Sequence, residues 1–239
     1  MRIGLLKLYE VDGDWRAEHG DYAGMFARLL DSAGLSAQWK IYETREGELP
    51  QRLDECDGYL IGGSKCAVYE DHAWLPPLLE WIRRLHAAQN PPLAGVCFGH
   101  QAIAAALGGE VEKSPKGWGA GRQIWKTCGD AQWMRPRLEE LILLASHQDQ
   151  VVKLPPEAEL LLTSEFCPNA AFGVGGHIFS MQGHPEFSPD FSLALLESRR
   201  DTMPRDTWQT AKDGARGDNT RPQCARWLAN FFGGKNGKL

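Results

Sequence analysis

The feature that most restricts the fold is an alternation over the first 107 residues. Short apolar runs are followed by longer stretches whose apolar residues recur at helical spacing. Residues 3–9, 37–42, 58–61 and 93–96 read as strands. Residues 20–33 carry Tyr22, Met25, Phe26, Leu29 and Leu30 on one helical stripe, and 74–87 carry Leu75, Leu78, Leu79, Ile82 and Leu85 on another. A small-residue helix over 99–107 follows the fourth strand. Strands buried on both faces read as continuous apolar runs, and helical crossovers link parallel neighbours. The expectation is an α/β fold: a mainly parallel, flavodoxin- or Rossmann-like sheet with helices on both faces.

From residue 108 the pattern changes. Residues 110–113, 121–127, 141–145, 160–164, 170–174 and 177–182 are strand candidates with no long helix between them. They predict small antiparallel ribbons, with the last run returning to the main sheet. Residues 189–233 read as helical, broken near Pro204 and over 214–217. No repeat or long linker interrupts the 239 residues. One domain over 1–239 is expected, with a helical extension over about 189–239.

Twenty-six Lys and Arg against 31 Asp and Glu leave a formal charge of −5, the wrong sign for gripping a nucleic-acid backbone. Arg221, Arg226, Lys235 and Lys238 form a local basic exception, read as a solvated helix and tail. No uncharged apolar run is long enough to span a bilayer, so no membrane association is expected. The chain starts on an apolar strand without a signal peptide's cleavage region, which makes a cytoplasmic location the expectation. The six cysteines, at 56, 66, 97, 128, 167 and 224, show neither C-x-x-C nor zinc-ligand spacing. No metal or organic cofactor is expected, and most of these thiols should be small buried groups.

One cysteine stands apart. Gly95–Gly99 reads G-V-C-F-G between a strand and a helix, the setting of a nucleophile elbow with Cys in place of Ser. Flanking glycines permit a sharp turn and close substrate approach. The positive end of the following helix favours a thiolate at Cys97, and the Phe98 amide can serve as an oxyanion donor. Taken alone, these five residues fit a small buried Cys in a glycine-rich strand end equally well. The second signal is G-H-P-E at Gly183–Glu186, directly after the last strand candidate. A thiol nucleophile needs a base and a group to orient that base, and His184 with Glu186 can supply both. Alone, it fits a structural His beside a turn proline better.

Together, G-V-C-F-G-H-Q-A-I-A and the downstream M-Q-G-H-P-E-F resemble the class I, or triad, glutamine amidotransferases. The likeness is to the glutaminase domain of GMP synthase and to stand-alone relatives such as the γ-glutamyl peptidases. It implies that Cys97 attacks a γ-glutamyl carbonyl to form a thioester and release ammonia, with His184 as base then acid and Glu186 orienting it. It further implies an oxyanion hole from Phe98 and Gly63, the latter in I-G-G-S. Substrate contacts would come from Gln101 and from the S-H-Q-D segment, at Ser146, His147 and Gln148. His100 is expected to be a packed neighbour and Cys66 a bystander, while Trp118 is either a pocket wall or a hairpin plug.

Two departures bear on function. The chain lacks a G-x-x-x-x-G-K-[ST] phosphate loop and an S-G-G-x-D loop, and no domain-sized segment remains for a synthetase. I-G-G-S stands where GMP synthase-like chains tend toward S-G-G-P. The expected enzyme therefore either supplies ammonia to a separate synthetase subunit or hydrolyses γ-glutamyl peptides or amines by itself. A non-catalytic regulatory relative is disfavoured because all three triad residue types are present.

Overall fold

A computed structural model describes residues 1–11 and 13–234. Its centre is a nine-stranded sheet in the order β2-β1-β3-β4-β11-β10-β9-β6-β7. The strands are β1 (Arg2–Lys7), β2 (Gln38–Glu43), β3 (Gly58–Ile61), β4 (Leu93–Val96), β6 (Gly119–Thr127), β7 (Glu140–His147), β9 (Ala158–Thr163), β10 (Ala171–Val174) and β11 (Ile178–Met181). The five strands from β2 to β11 are parallel, and the remaining four are antiparallel. A separate antiparallel ribbon pairs β5 (Glu110–Lys113) with β8 (Asp149–Lys153).

Side-chain alternation along the strands builds a core on each face. Ile3, Leu5 and Leu60 point toward Met25, Phe26 and Leu29 of α2 (Tyr22–Ser32) and toward Trp227, Leu228 and Phe232 of α7 (Arg221–Gly233). On the other face, Leu6, Tyr59 and Ile61 meet Leu78, Ile82 and Leu85 of α3 (Leu75–Ala88), with Phe98 and Ile103 of α4 (Phe98–Ala106). Asp21 caps α2 by accepting the Gly24 N–H at 2.8 Å, and Pro76 and Pro77 start α3, where a missing N–H costs nothing. This is the α/β architecture anticipated from the periodicity.

Two features differ from the sequence expectation. One small antiparallel ribbon forms, as expected, from β5 and β8, but β6, β7, β9 and β10 extend the main sheet instead of forming further ribbons. Strand pairing is settled by partners far away in sequence, which alternation within a single strand does not specify. Helix α1 (Gly13–His19) and strand β8 carry too few apolar residues to show a clear period. Helices α5 (Pro189–Ser198), α6 (Arg205–Gly214) and α7 follow the expected breaks. No helix among the described residues is long and apolar enough to cross a membrane.

Candidate active site

Three neighbouring parallel strands, β3, β4 and β11, end side by side. Open α/β sheets bind ligands at the carboxyl ends of their strands. Gly63 follows β3, Cys97 follows β4, and His184 lies three residues past β11. The Cys97 N–H donates to the Met181 carbonyl at 2.9 Å, tying the ends of β4 and β11 together.

Cys97 adopts φ 54° and ψ −103°, one of two non-glycine residues with positive φ among those described. Such a conformation costs about 1–3 kcal/mol and persists only where the surroundings impose it. The flanking glycines show what imposes it. A Cβ at Gly99 would lie 2.2 Å from the Ile61 carbonyl oxygen, and one at Gly95 would lie 2.6 Å from Ile103 Cδ1. Helix α4 is thus pressed directly onto β3 and β4, and the chain must turn at Cys97. The residue occupies the N-cap position of α4, where the first N–H groups, Phe98's included, have no partner within the helix. Positive helix potential and free amide donors therefore gather beside the sulfur. The Phe98 side chain itself is buried in the core.

His184 is fixed from several sides. Its N–H donates to the Leu144 carbonyl at 2.8 Å, where the curled antiparallel half of the sheet returns to the parallel half. Its Nδ1–H donates to Glu186 Oε1 at 2.7 Å, and the Phe187 ring stacks on the imidazole with centroids 3.9 Å apart. Both His184 and Glu186 are buried, at 4% and 1% exposure. Burial by itself lowers the His184 pKa, but the Glu186 carboxylate and a hydrogen bond with Cys97 outweigh it and raise it to about 10. The imidazolium is thus the favoured form, held between a carboxylate and a sulfur. Gly63 lies directly against this pair: a Cβ there would stand 3.1 Å from His184 Cε1 and 3.9 Å from the Cys97 Cβ.

Cys97 opens onto a cavity of about 730 Å³ that is also lined by Gln101, Ser146, His147 and Gln148. Gln101 reaches it from α4, with its Nε2 donating to the Asp149 carbonyl at 2.9 Å and to Gln182 Oε1 at 3.1 Å. His147 is buried, its Nδ1 bonded to the Asp149 carbonyl at 3.1 Å, and burial pushes its pKa down to about 4. It is neutral near pH 7. Ser146 accepts a hydrogen bond from Arg199, whose guanidinium also lies 5.5 Å from the Trp118 ring centroid. Trp118 lines the cavity, so of its two sequence readings the wall describes it. A larger cavity, about 1200 Å³, opens beside Pro92 and His177 at the opposite ends of the same strands, away from Cys97.

His100 is packed, as expected. It is fully buried between Ser180 Oγ at 2.9 Å and the Asn169 carbonyl at 3.0 Å, and burial pushes its pKa down to about 3.

Arg221 corrects a sequence expectation. It is only partly solvated: its Nε donates to the Pro185 carbonyl at 2.7 Å, and α7 thereby grips the turn between His184 and Glu186. Arg226 is exposed, while Lys235 and Lys238 lie outside the described residues.

Sequence reasoning also missed Arg199 and Tyr22 as neighbours of Cys97. Both line the inner recess that holds Cys97 and His184. Tyr22 lies on the buried stripe of α2, and burial together with Glu186 and Cys97 raises its phenol pKa far above the ordinary value. No local pattern marks Arg199.

The family model for glutamine amidotransferase class I matches residues 20–196, spanning the glycine loop, the elbow and the H-P-E turn. The chain belongs to this family. Among curated relatives, this amidotransferase-family chain is 30% identical to γ-glutamyl peptidase 3 of Arabidopsis thaliana over 187 residues, covering 75% of the chain and 74% of that protein. It is 32% identical to the glutamine-hydrolysing GMP synthase of Dehalococcoides mccartyi over 129 residues, or 54% of the chain but 23% of that protein. Among solved structures, a glutamine amidotransferase from Thermotoga maritima superposes with a TM-score of 0.76 at 20% identity, covering 97% of both chains. That likeness speaks to the fold.

Proposed function

We propose that the chain hydrolyses a γ-glutamyl amide through a covalent thioester on Cys97. One observation carries this reading: a cysteine in a strained turn at a helix N-terminus lines the same recess as His184, whose buried imidazole is bonded to Glu186 at 2.7 Å. In the resting site His184 holds a proton between Glu186 and the Cys97 sulfur. The thiolate attacks the γ-carbonyl carbon, a C–S bond forms, and the carbonyl π electrons move onto oxygen. The N–H groups of Phe98 and Gly63 receive that oxyanion; losing one such donor costs about 3 kcal/mol of transition-state stabilisation. His184 passes its proton to the leaving nitrogen as the C–N bond breaks, so ammonia or an amine departs. Water then attacks the thioester, giving one proton to His184, and glutamate leaves with the thiolate regenerated. Glu186 orients His184 throughout without moving the proton itself. Gln101, Ser146, His147 and Gln148 are the proposed contacts to the glutamyl moiety.

The leaving group separates two readings. Ammonia released from glutamine suits a chain that supplies a separate synthetase subunit. An amino acid or amine released from a γ-glutamyl peptide suits a free-standing hydrolase. The breadth of the cavity beyond Cys97, and similarity to a γ-glutamyl peptidase over three quarters of that protein's length, favour the second.

The test is release of glutamate from L-glutamine and from γ-glutamyl dipeptides by the purified chain, beside Cys97→Ala. Cys97-dependent turnover is expected. Equal turnover in Cys97→Ala rules out the thioester, and turnover of glutamine alone rules out the peptide reading.

A further inference from the structure

The loop that follows Gly63 carries a second group of reactive side chains with no part in the thioester chemistry. Cys66, Glu70 and His72 each bring one donor atom to a common point, all within 4.8 Å of one another. Their sequence spacing, C-x-x-x-E-x-H, matches no common zinc pattern, which is why linear reading passes over it. The loop backbone brings them together: the Glu70 N–H donates to the Ala67 carbonyl at 3.2 Å and the His72 N–H to the Glu70 carbonyl at 3.1 Å.

Two of the three donors are already held in place. Glu70 Oε2 accepts the Ala67 N–H at 3.0 Å and meets His72 Nε2 at 2.9 Å. The His72 ring stacks on Trp74 with centroids 5.2 Å apart and planes inclined by 13°. Cys66 is tied to the same loop through its N–H, which donates to Ser64 Oγ at 3.1 Å.

We infer that Cys66, Glu70 and His72 form a binding site for one borderline-soft divalent cation of the zinc class. Thiolate, imidazole and carboxylate are the donors such an ion takes, whereas magnesium and calcium require oxygen. Tetrahedral zinc with bonds of about 2 Å sets its nitrogen and oxygen ligands about 3.3 Å apart. The His72–Glu70 separation of 2.9 Å therefore needs only a slight opening. Binding replaces the proton of the Cys66 thiol, which passes to solvent, with a sulfur–metal bond; the Nε2 proton that His72 shares with Glu70 also leaves, to solvent or to Nδ1, and imidazole and carboxylate each bond the ion. Three protein ligands leave a fourth position for water. Cys66 and Glu70 also line the cavity that Cys97 opens onto, so the ion would stiffen the segment leading away from Gly63.

The inference is independent of the proposed hydrolase activity and is tested without it. The full chain carrying Cys97→Ala, which removes the other thiol of the same cavity, and Cys128→Ser, which removes an exposed free thiol, is stripped with chelator and titrated with Co²⁺ alone, then with Zn²⁺ as competitor. One equivalent of Co²⁺ should bind with a thiolate-to-cobalt charge-transfer band that Zn²⁺ abolishes. Adding Cys66→Ser or His72→Ala should each weaken binding at least about tenfold, the scale of losing a supporting ligand contact. Absence of the band in this background overturns the inference, as does a loss smaller than tenfold in either further variant. Should one of these lose its native circular dichroism, Glu70→Gln takes its place under the same criterion.

Discussion

Arg221 Nε donates to the Pro185 carbonyl oxygen at 2.7 Å, and its side chain also lies against the Glu186 carbonyl. The first residue of the last helix thereby holds the turn that spaces His184 from Glu186. Burial lowers the Arg221 pKa while the Glu186 carboxylate opposes that shift, so the guanidinium is a half-buried charge beside the proposed triad.

Arg221→Ala should therefore lower kcat about tenfold or more while KM changes little. A hydrogen bond from a charged donor contributes about 1.5–3 kcal/mol, and its loss here frees the H-P-E turn. Steady-state kinetics on the hydrolysed substrate, with thermal denaturation as a folding control, check this. A change confined to KM would place Arg221 on the substrate side instead.

Cys97→Gly and Cys97→Ala should both lose turnover yet differ in stability. Alanine keeps the strained φ of 54°, whereas glycine adopts it freely. Glycine should be the more stable of the two by about 1 kcal/mol, after subtracting its larger unfolded-state entropy from the 1–3 kcal/mol of strain relieved. Urea denaturation midpoints of the two variants give the comparison.

Gly99→Ala should be among the most damaging single-methyl additions in the chain. Its Cβ would stand 2.2 Å from the Ile61 carbonyl oxygen, a backbone atom that cannot swing aside. Overpacking of this kind costs about 1–3 kcal/mol, and here it also pushes α4 away from β3 and spoils the elbow. A lower melting temperature together with loss of Cys97 alkylation by a glutamine-like electrophile is the expected pair of results.

The His184–Glu186 pair predicts a pH dependence of stability. The folded pKa of His184 lies above its ordinary 6.5, so the folded state retains a proton that the unfolded state releases. This contribution is fully present below pH 6.5 and is lost as the pH rises through the folded value of about 10. Cys97 and Glu186 both raise the His184 pKa, so the measurement belongs in Cys97→Ala, where the carboxylate acts alone. Denaturation midpoints in that background should fall from pH 6.5 upward, and Glu186→Gln should flatten the fall. An NMR titration of the His184 imidazole provides the direct reading.

The parallel half of the sheet was legible because each of its elements carries its own period. The apolar run of β4 and the stripe of α3 face cores that would require the same residues whichever neighbours they had. The elbow was legible for a related reason: Gly95, Cys97 and Gly99 are consecutive enough for one turn to explain all three. The antiparallel half was harder, since the pairing of β9 with β10 and β6 depends on residues far apart in the chain. Arg221, a basic residue in a basic segment, gave no sign of leaving solvent.

Sequence alone singled out Cys97, His184 and Glu186 as the proposed nucleophile, base and orienting group, because these are local requirements of backbone and side-chain type. It also determined the layered α/β class, since periodicity within each segment selects strand or helix. Only the tertiary structure decided that β3, β4 and β11 end side by side, that Arg199 and Tyr22 close the recess around Cys97, and that Cys66 meets His72. Those relationships follow from strand order and from the path of loops across the sheet. Both are settled by burying two apolar faces at once, a condition that no short stretch of the chain contains.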